Sequence, residues 1–173
     1  MKKKKFLLID GYNIIHAWDE LKTISDYSLE AARDNLTDIL SNYWGYVDKD
    51  IFLVFDAYNV KGNTGSYEKT KNIHVIFTKE AQTADSYIEY FTKVNARTSD
   101  ICVATSDYME QIVILNYGAY RISANDLKQM ITEAERDMRE NYIEKKPIKN
   151  NMLFDNLDEH TKKLFEEMIR RKE

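Results

Sequence analysis

The chain has 173 residues, 43% of them hydrophobic, with five glycines, one proline, one cysteine and a formal net charge of −4. That is apolar material enough for one packed domain, too little glycine and proline for long linkers, and too little cysteine for a disulfide framework or a cysteine metal cluster. The acidic balance argues against a protein that holds nucleic acid through its overall charge, and leaves local patches or docking on a larger nucleic-acid assembly.

In chain order, Met1-Lys2-Lys3-Lys4-Lys5 imitates the charged head of a secretory leader, but the apolar run after it is only Phe6-Leu7-Leu8-Ile9 and stops at Asp10. That is too short for a leader, and no other segment is long enough to span a bilayer, so a cytoplasmic location with no membrane partner is expected. A run without polar alternation predicts a strand buried on both faces, as in a parallel sheet flanked by helices. Gly11-Tyr12-Asn13 follow it as a turn. Leu29, Ala32, Leu36, Ile39, Leu40 and Tyr43 fall at helical spacing, and Ile51 to Phe55 forms a second apolar strand that ends at Asp56. Tyr58 to Lys71, containing Gly62, Asn63 and Gly65, reads as a polar loop. Ile73 to Phe77 is a third strand, and Ala84, Tyr87, Ile88, Phe91 and Val94 mark a helix with Thr83 as its cap. Ile101 to Thr105 is a fourth strand, leading through Ser106 to Asp107, with Cys102 as a reduced core thiol.

Met109, Ile112 and Val113 continue as a helix that Gly118 closes, and Ala119 to Ile122 is a short fifth strand. Ser123 and Asp126 have capping-box spacing ahead of Leu127, Met130, Ile131, Ala134 and Met138. Pro147 breaks the pattern, and Leu153, Leu157, Leu164, Phe165 and Met168 predict a last amphipathic helix. Strand and helix alternate, which predicts a three-layer α/β/α sandwich on a mainly parallel sheet of about five strands. The domain is expected over residues 1–140, with a helical extension over 141–173 packed on it or trailing from it.

The chemistry lies at the strand ends. Asp10, Asp56 and Asp107 each leave the carboxyl end of an apolar strand, the edge at which such sheets bind ligands. Clustered carboxylates repel, and hard cations with oxygen ligands, Mg²⁺ or Mn²⁺, are the usual partners. Asp85 is a fourth candidate, placed in the first helical turn where the helix dipole favours an anion. Glu89 shares its helix face, although a solvated helix charge is the favoured reading for it. Asp10 has an alternative as a turn acid, Asp107 as a helix cap, and Asp56 is open between structure and function. Asn13 would position Asp10 or touch substrate. Thr105 and Ser106 would order a water, take a phosphate or bond local backbone. His16, His74 and His160 have no ligand spacing.

Competing motifs fail. Gly62-Asn63-Thr64-Gly65-Ser66 lacks the Gly-Lys-Ser/Thr ending of a phosphate loop, and no Gly-x-Gly-x-x-Gly follows a strand, so no nucleotide cofactor is expected. Tyr12 stands where a haloacid-type phosphatase needs a second aspartate. Gly11 follows Asp10, and Tyr120-Arg121-Ile122 offers no lysine, so a phosphoacceptor receiver is not supported either.

Leu8-Ile9-Asp10-Gly11-Tyr12-Asn13, Val54-Phe55-Asp56-Ala57, Thr83-Ala84-Asp85 with Ile88-Glu89, and Ala104-Thr105-Ser106-Asp107 together resemble the YacP-like branch of the NYN domains, within the PIN-like nuclease superfamily. The match runs in order over roughly residues 5–135. The resemblance implies the strand order 3-2-1-4-5 and a metal-dependent endoribonuclease that cleaves mRNA at the translating ribosome. It carries the acidic metal site onto Asp10, Asp85 and Asp107, with Asn13 beside them and Asp56 in a less defined role. Hydrolysis by a metal-activated water would leave a 5′-phosphate and a 3′-hydroxyl. For RNA contact the reading points to the 58–72 loop, with Tyr58, Lys61, Tyr67, Lys69 and Lys71, and to Lys93 and Arg97, since cations track phosphates and aromatics stack on bases. Lys2 to Lys5 would touch ribosomal RNA or serve as a solubilising terminus. Two other classes stay open: a binding module of the same fold with idle acids, and a phosphoryl-accepting domain.

Overall fold

The structure, a computed structural model, describes residues 3–56 and 65–145. Tyr58, Lys61 and the expected C-terminal helix beyond Pro147 lie outside the described residues. The strands are β1 (Lys4–Asp10), β2 (Asp50–Phe55), β3 (Ser66–Thr70), β4 (Ile73–Phe77), β5 (Ser99–Ala104) and β6 (Tyr120–Ile122). The helices are α1 (Gly11–Ala17), α2 (Asp19–Tyr27), α3 (Leu29–Trp44), α4 (Ala84–Asn95), α5 (Tyr108–Asn116) and α6 (Ala124–Lys145).

Among the described residues the strands form one sheet in the order β3-β4-β2-β1-β5-β6. All neighbours pair in parallel except β3, which runs antiparallel to β4. The five parallel strands therefore have the expected 3-2-1-4-5 order, and β3 is added at the edge. It corrects the predicted polar loop. Its residues, Ser66-Tyr67-Glu68-Lys69-Thr70, are exposed or nearly so, and a solvated edge strand carries no apolar run to announce it.

The apolar strands bury both faces by simple alternation. Leu7 and Ile9 of β1 join Leu53 and Phe55 of β2 in a core under α1, α2, α3 and α6. Phe6 and Leu8 join Val54, Ile101 and Val103 in a second core that includes Ala84 and Ile88 of α4 and Ile114 of α5. Each fully buried side chain of this size contributes roughly 1.5–3 kcal/mol, so β1 is anchored from above and below. The Trp18 indole N–H, buried at the α1–α2 junction, donates to the Ala124 carbonyl at 2.9 Å and seats the start of α6.

Two helices were not expected between Asp10 and Leu29. Gly11-Tyr12-Asn13 opens α1 rather than a turn, and α1 has only seven residues, too few to show a period. Ser28 separates α2 from α3 by accepting the Ala31 N–H at 3.1 Å. The predicted capping box holds: the Asp126 carboxylate accepts from the Ser123 N–H, and the Ser123 hydroxyl from the Asp126 N–H. Gly118, at φ +79°, follows the end of α5 as expected.

The chain divides into two compact units, Met1–Glu135 and Arg136–Glu173. Of the second, residues 136–145 are described and are helical, with Arg136 and Glu140 4.0 Å apart. Among the described residues no helix is long and apolar enough to cross a membrane.

Candidate active site

Asp10 is the last residue of β1, still in register with Val54, and is also the N-cap of α1. Its Oδ1 accepts the Asn13 N–H at 3.1 Å. Only 9% of the residue is exposed. The glycine after it is fixed by packing: a Cβ on Gly11 would stand 2.2 Å from the Phe55 ring. A helix can begin directly at the end of β1, over Phe55, only if its first residue has no side chain.

The Asn13 side chain neither holds Asp10 nor hangs free. Its Oδ1 accepts the Ser106 N–H at 2.8 Å, across a sequence separation of 93 residues. This bond ties the exit of β1 to the exit of β5. Thr105 Oγ1 accepts the Asp107 N–H at 3.1 Å, a local turn that orients the exposed Asp107. Asp56, just after β2, accepts from the backbone N–H of Ala84 and so pins the first turn of α4 to the same edge. Thr83 caps that helix by accepting the Ser86 N–H at 3.1 Å. Asp85 is carried on the turn so fixed. Four elements thus deliver four carboxylates to one sheet edge.

The carboxylates influence one another. Burial, above all, pushes the Asp10 carboxyl up from 3.8 to about 7, with the charges of Asp85 and Asp56 adding to the effect against the Asn13 N–H. Asp85 is also raised, first by burial and then by the charges of Asp107 and Asp56. Asp10 and Asp85 act on each other directly, and the interaction favours the protonated form of Asp10 and the charged form of Asp85. Acids that raise one another in this way form a site short of positive charge.

The donors are all oxygen, the set preferred by Mg²⁺ and Mn²⁺ over softer metals. Among the described residues no three His, Cys, Asp or Glu side chains converge into a ready-made cage. A cation held by one or two carboxylates, with water in its remaining positions, matches that arrangement, and Mg²⁺ commonly binds in this way.

The remaining predicted residues lie elsewhere. Glu89 is one turn along α4, half-buried, and its Oε1 accepts from the Tyr117 hydroxyl at 3.3 Å. Lys69 pairs in register with His74, near the amino end of β4 and away from the acids. Lys71 is in the β3–β4 turn, ion-paired to Asp38. Tyr67 is 62% exposed and stacks on His74. Lys93 is eight residues beyond Asp85, about 12 Å along the helix axis, and Arg97 follows the end of α4. Lys3 and Lys5 pair with Asp100 and Asp48 at the amino edge of the sheet. The acids are brought together, and these cations are not among them.

Sequence reasoning missed Arg33. It lies in the second turn of α3, and its Nη1 donates to the Tyr12 hydroxyl at 3.0 Å. Its one sequence signal was a charged residue between the core positions Ala32 and Leu36.

Known proteins are similar to this chain in sequence and in fold. The Bacillus subtilis (strain 168) protein YacP is 43% identical over 131 residues, which are 75% of this chain and 76% of YacP. The crystal structure of Rae1 (YacP) from Bacillus subtilis superposes with a TM-score of 0.68 at 40% identity over 80% of each chain. Its W164L mutant superposes with a TM-score of 0.67 at 34% identity, covering 94% of this chain and 99% of the other. The YacP-like NYN domain family matches residues 7–170. The chain therefore belongs to the YacP-like NYN domain family, a branch of the PIN-like nucleases.

Proposed function

We propose that this protein is a divalent-metal-dependent endoribonuclease that cuts mRNA in association with the translating ribosome. The observation that carries the hydrolase reading is the buried Asp10 carboxyl at the carboxyl edge of the sheet, where Asp56, Asp85 and Asp107 are brought to the same edge and its own carboxyl is raised to about 7. A fold does not maintain so unfavourable a cluster for stability, and perturbed acids in a crevice are the usual mark of a working site. The mRNA and ribosome parts rest on the family resemblance, together with the net charge of −4, which disfavours tight binding to free RNA.

Asp10 and Asp85 would hold the Mg²⁺ or Mn²⁺, with Asp107 and Asp56 completing the negative field and Glu89 further away. A divalent cation there supplies an activated water and charge neutralisation at phosphorus. Asp10, whose carboxyl burial raises to about 7, would hold the cation in its carboxylate form. Asn13 and the Ser106 N–H keep the two sides of the crevice at fixed separation. Asp56 keeps α4, and with it Asp85, from drifting. In-line hydrolysis needs no 2′-hydroxyl nucleophile, so preference for RNA falls to the binding surface.

The test is incubation of the purified protein with mRNA, with and without ribosomes, in Mg²⁺, in Mn²⁺ and in chelator. Metal-dependent internal cuts with 5′-phosphate ends, enhanced by ribosomes, are expected. Ribosome co-sedimentation without cutting would instead assign an idle binding module. Efficient cutting of naked RNA without co-sedimentation at low salt would assign a free ribonuclease.

A further inference from the structure

The acidic edge that attracts a cation also repels a polyanion. RNA reaching Asp10 and Asp85 needs a positive group at that same edge, and Lys69, Lys71 and Lys93 lie away from it. Arg33 does not. Tyr12, which its Nη1 engages at 3.0 Å, sits in the first turn of the helix that Asp10 caps. Its guanidinium carbon stands 5.7 Å from the ring centroid of Phe77, the last residue of β4. The Phe77 ring stacks on Phe55 at 5.5 Å, and Phe55 meets Tyr12 at 5.1 Å. The guanidinium therefore lies against Tyr12 and Phe77, with Phe55 joining those two rings, on the face of the sheet opposite α4.

Among the described residues no carboxylate pairs with Arg33, whose contacts are the Tyr12 hydroxyl and the Phe77 ring. A guanidinium has five N–H donors in a planar fork suited to two phosphate oxygens at once. One donor is used on Tyr12, which leaves the others for a ligand. The Tyr12 oxygen accepts from Arg33, so its own O–H remains to donate.

We infer that Arg33, positioned by Tyr12, is an RNA phosphate site: the guanidinium grips the non-bridging oxygens of a backbone phosphate flanking the one that is cut, on the β4 side of the acids. This rests on the ribonuclease reading above and adds to it the residue that offsets the repulsion between the acidic edge and the substrate. A phosphate held on one side of Asp10 and a cation held on the other would set the register of the strand across the crevice.

The experiment uses the full chain carrying Asp10→Asn, so that binding is measured without cutting, and a 5′-labelled single-stranded RNA followed by fluorescence anisotropy at several salt concentrations. Adding Arg33→Gln is expected to weaken binding roughly tenfold or more, as for a lost charged hydrogen-bonding group. It is also expected to flatten the slope of log affinity against log salt by about 0.7, the value for one phosphate contact on a single strand. Arg33→Lys keeps the charge and is expected to keep the slope while losing part of the affinity, which separates loss of charge from loss of fold. In the otherwise native enzyme, Arg33→Gln should raise KM more than it lowers kcat. An unchanged slope in Arg33→Gln, with the parent still binding RNA, overturns the Arg33 site and leaves the ribonuclease reading standing. If the parent binds free RNA at no salt concentration, the comparison is read on cleavage of ribosome-bound mRNA by the otherwise native enzyme, where an unchanged KM in Arg33→Gln overturns the Arg33 site and absence of any metal-dependent cleavage overturns the ribonuclease reading.

Discussion

Replacing Asp10 by Asn should kill cleavage and, in the absence of metal, stabilise the fold in a pH-dependent way. Asn keeps an Oδ1 that can still accept the Asn13 N–H, the bond that Asp10 accepts at 3.1 Å, so the cap survives. The charge is what disappears. The Asp10 carboxyl sits at about 7 in the folded protein against 3.8 unfolded. Between those values the folded state binds the proton more tightly than the unfolded chain does. Stability of the native protein therefore falls as pH rises from about 4 to about 7 and is level above that, the reverse of an ion-paired acid. About three pH units at ~1.4 kcal/mol each amount to roughly 4 kcal/mol at pH 8. For a chain of this length that corresponds to roughly 10 °C in melting temperature. Melting curves in chelator at pH 4, 6 and 8 check it: Asp10→Asn and native protein should nearly coincide at pH 4 and separate at pH 8, the variant melting higher. Adding Mg²⁺ should raise the native melting temperature, because a ligand bound only by the folded state stabilises it, and should move the variant much less. A gap that does not change between pH 4 and 8, or cleavage by the variant at the native rate, would refute the reasoning.

Asp85→Asn is expected to lower cleavage by roughly a hundredfold or more, because several kcal/mol of charge stabilisation depends on the cation site; Glu89→Gln, whose carboxylate already accepts from Tyr117, should cost less than about tenfold by the same conversion. The single-turnover cleavage rates of the two variants decide this, and a dead Glu89→Gln beside an active Asp85→Asn would overturn the assignment. Neutralising Lys61, Lys69 and Lys71 together should weaken ribosome co-sedimentation and flatten its salt dependence, since fewer counterions are released. Unchanged association in that triple variant would move the docking surface elsewhere.

Much of the architecture was legible because it is written locally. An apolar run such as Phe6-Leu7-Leu8-Ile9 must be buried on both faces, and that implies helices above and below it. The acids were legible for the same reason: Asp10, Asp56 and Asp107 each interrupt such a run, and a charge at that point lies at the carboxyl edge of a parallel sheet. The edge strand β3 was not legible, because its side chains are exposed and its only demand is backbone pairing with β4. Nor was α1, whose start is set by Asp10 as cap and by Phe55 forbidding a side chain at position 11.

What the sequence determined by itself was the set of buried strands, the helices between them and the residues that stand where strands end. What only the tertiary structure decided was which of those residues act on one another: that the charges of Asp85 and Asp56 fall on Asp10, that the Asp56 carboxylate takes the Ala84 N–H, that Asn13 reaches Ser106, and that Arg33 comes up beside Tyr12. Burial and periodicity are properties of a few consecutive residues and survive in one dimension. Desolvation and charge coupling fall off over a few ångströms, so they exist only once the sheet has set side by side carboxylates that the chain keeps dozens of residues apart.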